Sequence, residues 1–300
     1  MRPRIEEVLK EQRINFILNA KTDMLSTFRI GGTCDILVEP CCLNELITAV
    51  MICERVGVPY TVIGRGSNIL FPDGHLERVL IRTSRLTGVR REGSAFIVDC
   101  GVSLPRLSRL AASLGFSDLA FACGIPGTVG GGVFMNAGAH GKSLGELVKW
   151  VKVLCPETGK IKTIFNEELS FSYRNSAFQQ NNHIILQVCL SLFEAQDPDA
   201  VAAKIKANLL QRSATQPLSF PSAGSVFRRR SEGEPLGRII DDLGLKGIRC
   251  GGAVVSEKHA GFIVNLGDAK AEDVKTLIAI IKGIVKRKKG FEPDVEIKIL

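Results

Sequence analysis

The segment GIPGTVGGGVFMNAGAHG, Gly124 to Gly141, holds seven glycines in eighteen residues, with Thr128 and Asn136 among them. Glycine lets backbone approach a ligand because no Cβ intervenes, and successive N–H groups then form a surface of donors. That surface suits a pyrophosphate or the polar edge of a flavin ring, while tight helix–strand packing is the structural alternative. A second cluster, Ile63-Gly64-Arg65-Gly66-Ser67-Asn68-Ile69-Leu70, stands about sixty residues earlier and directly follows an apolar strand pattern. It is not a Rossmann fingerprint, because Ile69 occupies the place of the third glycine, and no Lys-Ser/Thr pair follows to make a P-loop. A tight turn alone would also explain this cluster. Together the two suggest one extended dinucleotide. The cofactor-binding candidates are Gly64, Arg65, Gly66, Ser67, Asn68 and Ile69, with Gly124, Ile125, Gly127, Thr128, Gly130 and Gly131.

Around these clusters the first half of the chain alternates helix and strand. The first twenty residues read as an amphipathic helix, Asp35–Glu39 as a short strand, and Leu43–Val56 as a helix ended by Gly57. Strands follow at Pro59–Ile63, Val79–Ile81 and Ala95–Cys100, with a helix at Leu104–Leu114 closed by Gly115. From Val148 the texture changes to strands at Val151–Cys155, Ile161–Phe165 and Ile184–Phe193, then a polar stretch, Glu194–Asp199, that resembles a linker. The tail carries helices at Ala200–Gln211 and Ala271–Lys289 and a last strand at Val295–Leu300. The fold class is α+β in three parts: residues 1–82, 83–193 and 194–300, with the last strand, 291–300, returning to the body formed by the first two.

The formal net charge of +8 rests partly on Arg228-Arg229-Arg230 and Lys286-Arg287-Lys288-Lys289. A basic run can hold nucleic acid, attract an anionic small substrate, or simply face solvent. With aromatics at 6% and no nucleic-acid module beside the charge, nucleic acid ranks lowest. Nine cysteines without CxxC pairs read as free thiols of a reducing compartment. The start, MRPRIEEVLKEQ, has no apolar signal core, and no window reaches the ~18–20 apolar residues of a membrane span. A cytoplasmic protein with neither nucleic-acid nor membrane partner is expected.

Several motifs in order then resemble one family. The pair GRGSNIL and GIPGTVGGGVFMNAGAHG looks like the FAD-binding loops of UDP-N-acetylenolpyruvoylglucosamine reductases, within the vanillyl-alcohol-oxidase-type flavin fold. Thr27–Gly32 (TFRIGG) resembles the family's opening motif and Phe171–Phe178 (FSYRNSAF) its YRxSxF motif. Gln216-Pro217 through Pro221–Phe227 (PSAGSVF), Gly244–Gly247 (GLKG) and Val255–His259 (VSEKH) complete the series. The spacing between Tyr173 and Gln216 is similar to that of the shorter subtype, which lacks a tyrosine-bearing loop. Gly261 where asparagine is common, Pro293 where leucine is usual, and Arg229-Arg230 in place of Asn-Pro are departures.

The resemblance implies reduction of the enolpyruvyl ether of UDP-N-acetylglucosamine enolpyruvate to UDP-N-acetylmuramate. NADPH reduces FAD, and the flavin N5 delivers hydride to the terminal enolpyruvyl carbon. Negative charge then develops on the neighbouring carbon and its carboxylate, which calls for a cation and a proton donor. Arg174 fits the first role, since a guanidinium grips a carboxylate through two parallel hydrogen bonds. Ser225 is the implied proton donor. A C-terminal carboxylate completes the set: Glu296 by ungapped counting from Gly290, with Asp294 its rival two residues earlier. Asn136, Tyr173 and Arg228 are the candidates for substrate contact, and His140 is either a flavin neighbour or a structural histidine. An FAD-dependent oxidase of the same cofactor fold, or a basic binding protein without catalysis, are the alternatives.

Overall fold

The computed structural model describes residues 2–193, 197–229 and 234–300, so Glu194–Gln196 of the expected linker and Arg230 of the arginine run lie outside the described residues. In chain order the elements begin with α1 (Arg2–Glu11), β1 (Phe16–Lys21), β2 (Thr33–Val38), α2 (Leu43–Val56), β3 (Tyr60–Ile63), β4 (Ile69–Leu70) and β5 (His75–Arg82). Next come β6 (Val89–Glu92), β7 (Ala95–Asp99), α3 (Leu104–Ser113), α4 (Val129–Phe134), β8 (Gly138–Ala139), β9 (Lys142–Ser143), β10 (Val148–Cys155), β11 (Lys160–Phe165) and β12 (Ile184–Ser191). The chain ends with α5 (Pro198–Thr215), α6 (Leu236–Asp242), β13 (Arg249–Cys250), β14 (Ala253–Val255), β15 (Ile263–Asn265), α7 (Ala271–Lys289) and β16 (Lys298–Ile299).

By packing the chain forms two compact units that divide it differently from the three parts read in the sequence. The first comprises residues 1–18, 35–65 and 77–211; the second comprises 19–34, 66–76 and 212–300. Each has its own hydrophobic core, so the short segments 19–34 and 66–76 pack with the C-terminal residues.

The first unit is built on a five-stranded sheet ordered β11-β10-β12-β7-β6, antiparallel at each pair. Val188 of β12 lies between Val98 of β7 and Val151 of β10, and all three are fully buried. β-branched residues fit this setting because their stiff χ1 matches a pleated, covered surface. Helix α3 presents Leu104, Leu107 and Ala111 on one face, the i, i+3, i+7 spacing of a helix with a single buried stripe. In the same unit β3 and β5 run parallel, with Val62 opposite Ile81.

The second unit centres on α7. Val274, Leu277, Ile278, Ile281 and Val285 are buried along one stripe, each contributing about 1.5–3 kcal/mol by leaving water. The Asp73 carboxylate accepts the N–H groups of Ala271 at 2.6 Å and Glu272 at 3.2 Å, satisfying the donors that a helix start leaves open. At the other end Gly290 takes the left-handed conformation, φ 76°, after Lys286–Lys289. Those four cations sit in the last turn, where a helix favours positive charge. Glu292 adds ion pairs to Lys282 at 2.7 Å and Lys286 at 3.2 Å. The second basic run is therefore a helix terminus, and its charge has a structural use.

Three sequence readings need correction. The first twenty residues are not one helix: α1 stops at Glu11, and β1 begins at Phe16. The last strand is regular only at β16, which pairs in parallel with β4; Val295 makes a single bridge to Phe227. The glycine cluster at 124–141 is not all loop, since it contains α4. Among the described residues no helix is long and apolar enough to cross a membrane, and all nine cysteines are free.

Candidate active site

Within the first unit the two glycine clusters meet. Gly64 follows β3 directly, and a Cβ on it would collide with Thr128 Oγ1 and stand 3.2 Å from its Cγ2. Thr128 is the N-cap of α4, its Oγ1 accepting the Gly131 N–H at 3.2 Å. The segment is tied down by the Gly130 N–H to Cys100 carbonyl bond at 2.8 Å and the Val129 N–H to Val102 carbonyl bond at 2.8 Å. A Cβ on Gly130 would lie 2.8 Å from that of Cys100, so glycine there serves close packing as well as approach to a ligand. Among the described residues the backbone N–H groups of Arg65, Gly127 and Thr128 donate to no protein acceptor. Backbone without Cβ atoms, carrying unclaimed donors, is what a pyrophosphate requires, and these residues fit FAD. Gly124 and Ile125 lead into the cluster, the Ile125 N–H donating to Ala122 at 3.1 Å.

The other half of the first cluster belongs to the second unit. Gly66 is left-handed, φ 62°, and packs so tightly on the Leu25 carbonyl that a Cβ would overlap it. Ser67 and Asn68 follow, and Ile69 opens β4. The Asn68 amide is spent inside the protein, donating to the Glu296 carbonyl at 3.2 Å.

The arginine motif is a tight turn in the first unit. Ser172 and Asn175 exchange backbone hydrogen bonds at 3.2 and 3.1 Å, which leaves Tyr173 and Arg174 at the tip. Arg174 has φ 53°, a conformation that glycine or asparagine adopts more readily; such strain clusters at functional sites. Its Nη2 donates to the Gly138 carbonyl at 3.2 Å, and its guanidinium carbon lies 5.2 Å from the ring centre of the exposed Tyr173.

Three side chains anchor this turn to the end of α4. Ser176 Oγ donates to the Phe134 carbonyl at 2.8 Å. Gln179 Nε2 donates to the Phe134 carbonyl at 3.1 Å and the Arg174 carbonyl at 2.9 Å. Asn136, expected from the sequence to touch substrate, is buried, and its amide bridges the Ser172 carbonyl at 2.8 Å and the Gly145 N–H at 2.9 Å. The structure thus turns Asn136 toward holding the turn. His140 is exposed at the tip of the β8–β9 hairpin, where it and Gly141 take φ 53° and 79°, the paired positive angles of a two-residue hairpin loop.

In the second unit residues 225–228 run between two other segments. Ser225 bridges Phe262 on one side, and Phe227 bridges Val295 on the other. The Ser225 hydroxyl lies 3.2 Å from the Phe227 carbonyl and 3.4 Å from that of Gly261. The Glu296 N–H donates to the Val226 carbonyl at 2.7 Å, and the Arg228 N–H to the Asp294 carbonyl at 2.9 Å. Ser225 and Glu296 thus come from neighbouring backbone segments; Glu296 is half-buried and Asp294 exposed. Among the described residues the buried Arg228 Nε meets no hydrogen-bond partner. Burial first, then the Arg228 charge, hold the Lys298 ammonium below the ordinary lysine pKa. These two cations suit an anionic ligand. Burial likewise lowers the pKa of His259, whose Nδ1 accepts the Gly261 N–H at 3.1 Å.

Gln179, His259 and Lys298 are not among the candidate site residues of the sequence. His259 appears there only as the end of the VSEKH motif, and Lys298 only as the basic residue in the apolar–basic–apolar alternation after Glu296.

Residues 34–164 match the family described as "FAD binding domain", and residues 216–300 match "UDP-N-acetylenolpyruvoylglucosamine reductase, C-terminal domain". A UDP-N-acetylenolpyruvoylglucosamine reductase of Geobacillus thermodenitrificans is 40% identical over 272 residues, covering 91% of this chain and 88% of that one. One from Caldanaerobacter subterraneus subsp. tengcongensis is 38% identical over 297 residues, 99% of this chain and 97% of the relative. The crystal structure of the Thermus caldophilus UDP-N-acetylenolpyruvylglucosamine reductase superposes with a TM-score of 0.80 at 31% identity, covering 96% of this chain and 98% of that one. With similarity running nearly end to end and the glycine clusters joined at Gly64 and Thr128, the chain belongs to the UDP-N-acetylenolpyruvoylglucosamine reductases, FAD-containing oxidoreductases of peptidoglycan precursor synthesis.

Proposed function

We propose that this chain works in the cytoplasm, reducing UDP-N-acetylglucosamine enolpyruvate to UDP-N-acetylmuramate with electrons from NADPH. Bound FAD supplies the hydride-transfer chemistry, held by the donors of Gly64–Ile69 and Gly124–Gly131. The protein has three further tasks. Arg174 binds the enolpyruvyl carboxylate through parallel charge-assisted bonds, and its charge stabilises the enolate form. Ser225 gives its hydroxyl proton to the carbon next to that carboxylate, and Glu296 supports the enolic form through a hydrogen bond. Arg228, with Lys298, meets anionic groups of the substrate. Tyr173 backs the Arg174 guanidinium, and Asn136 fixes the turn that carries it.

The observation that carries this reading is the bond between the Glu296 N–H and the Val226 carbonyl, which brings the segments of the hydroxyl and the carboxylate side by side. The test is rapid mixing with Ser225→Ala. Bleaching of the flavin absorbance by NADPH should persist, while its recovery on adding the enolpyruvyl sugar slows by about 10²–10⁴, the usual reach of a proton donor. Equal loss of both halves would refute the donor role.

A further inference from the structure

Two of the nine cysteines stand apart from the rest. Cys34, Cys53, Cys100, Cys123, Cys155 and Cys189 are buried and Cys250 is half-buried, whereas Cys41 and Cys42 are exposed. These two are neighbours in the chain at the start of α2, where Cys42 is the N-cap residue and its side chain makes no capping bond. Glu45 stands in the first turn of the same helix and reaches back. Its Oε2 accepts the Cys41 N–H at 2.8 Å, and its Oε1 accepts the Cys41 S–H at 3.0 Å. The two sulfurs and a carboxylate oxygen all lie within 4.8 Å of one another.

We propose that Cys41, Cys42 and Glu45 form a binding site for a thiophilic divalent cation, zinc foremost, with two sulfur ligands, one carboxylate oxygen and an open fourth position for water. A four-coordinate zinc has Zn–S distances of about 2.3 Å and Zn–O distances of about 2.0–2.2 Å, so its ligand atoms stand roughly 3.5 Å apart. The present spread needs a contraction of about 1 Å, within reach of exposed side-chain rotation. The Cys41–Glu45 pair is already closed to 3.0 Å, with a proton where the ion would enter. The Cys41 N–H to Oε2 bond can stay while Oε1 becomes a ligand.

Binding is an exchange without redox change. Each thiol gives its proton to solvent, two sulfur–metal bonds and one oxygen–metal bond form, and the dication with two thiolates and one carboxylate carries a net charge of −1. The hydrogen-bonded Glu45 carboxylate raises the Cys41 pKa, while the Arg85 charge acts the other way on Cys41 and also acts to lower that of Glu45; a helix start favours thiolate as well. Disulfide formation within the pair is disfavoured. Adjacent Cα atoms across a trans peptide are about 3.8 Å apart, short of the ~4.4–6.8 Å of an ordinary disulfide. Chelation is therefore the chemistry these neighbouring sulfurs favour.

The test uses the full FAD-loaded chain, reduced with a phosphine and stripped of metal, titrated with cadmium as the spectroscopic probe. A sulfur-to-cadmium charge-transfer band in the ultraviolet should saturate at a single equivalent and vanish on adding excess zinc. Cys41→Ser and Cys42→Ser should each abolish it, and Glu45→Gln should weaken cadmium binding by about tenfold or more. Retained flavin absorbance in each variant shows that the fold survives. No band in the unaltered chain, a band that persists in the double serine variant, or an affinity unmoved by Glu45→Gln would each overturn the three-donor site.

Discussion

The Gln179 carboxamide donates to the Arg174 carbonyl oxygen at 2.9 Å and, from the same nitrogen, to the Phe134 carbonyl at 3.1 Å. One side chain therefore clamps the backbone of the strained arginine to the end of the helix that grows out of the glycine cluster. Without it the turn keeps its sequence but loses a fixed position, and placement is what a carboxylate-gripping guanidinium contributes.

Gln179→Ala removes the hydrogen bonds to the Phe134 and Arg174 carbonyls, each contributing about 0.5–1.5 kcal/mol. Gln179→Glu should be worse, because a carboxylate then faces two carbonyl oxygens. Steady-state kinetics should show the substrate kcat/KM falling about tenfold for alanine and further for glutamate, with the FAD content of both unchanged. A glutamate variant as active as the unaltered chain would refute the clamp.

Gly64 and Thr128 offer a paired test of the cofactor cradle. Gly64→Ala drives a methyl into Thr128 Oγ1, so the purified variant should lose most of its yellow colour. Thr128→Ala alone forfeits an N-cap, at a cost of about 1 kcal/mol. In the double variant the obstructing atoms are gone, and FAD per chain should recover above that of Gly64→Ala. A double variant as colourless as the single one would place the damage elsewhere than this contact.

What could be read in the sequence follows from the range of the interactions involved. Helices α2 and α7 announce themselves through periodic apolar residues and end at glycines with φ of 71° and 76°, where a local rule decides the outcome. The glycine clusters are legible as backbone open to close approach, and Gly64 does lie against Thr128. Helix α4 inside the second is not legible, because glycine is a poor helix former and tertiary packing overrides that preference: a Cβ on Gly132 would press on Leu104 and Leu144. Gln179 left no trace, since its partners are backbone carbonyls brought near only by folding. Asn136 was noticed for its amide, but the sequence could not say that Ser172 and Gly145 already occupy it.

His259 should leave a mark on the pH dependence of stability. Burial, the largest cause, holds its pKa below the ordinary 6.5, with the Lys246 charge acting in the same direction. The folded chain thus binds this proton less readily than the unfolded one. The contribution is fully present above the unfolded pKa and is lost as pH falls through 6.5 toward the lower folded value. His259→Asn can still accept the Gly261 N–H but does not titrate. Melting temperatures measured from pH ~7 down to ~5 should therefore fall more steeply for the unaltered chain than for the variant. Parallel curves would refute the assignment.

Glu296 and Asp294 are separated by how firmly the backbone holds each. Glu296 is pinned on both sides of its Cα, its N–H to the Val226 carbonyl at 2.7 Å and its own carbonyl to the Asn68 amide at 3.2 Å. Asp294 is exposed and is tied by its carbonyl to the Arg228 N–H at 2.9 Å. A carboxylate that must hold a hydrogen bond to the reacting group gains from a fixed backbone and partial shielding from water, since both limit rearrangement as charge develops. Glu296→Gln keeps size and shape and should slow reoxidation of the reduced enzyme by the enolpyruvyl sugar by about 10²–10⁴. Asp294→Asn should stay within about twofold, as exposed substitutions away from special features do. If stopped-flow measurements showed the larger loss at Asp294, its exposed position would have to be the catalytic one, and the pinned backbone of Glu296 would serve only to close the second unit's core.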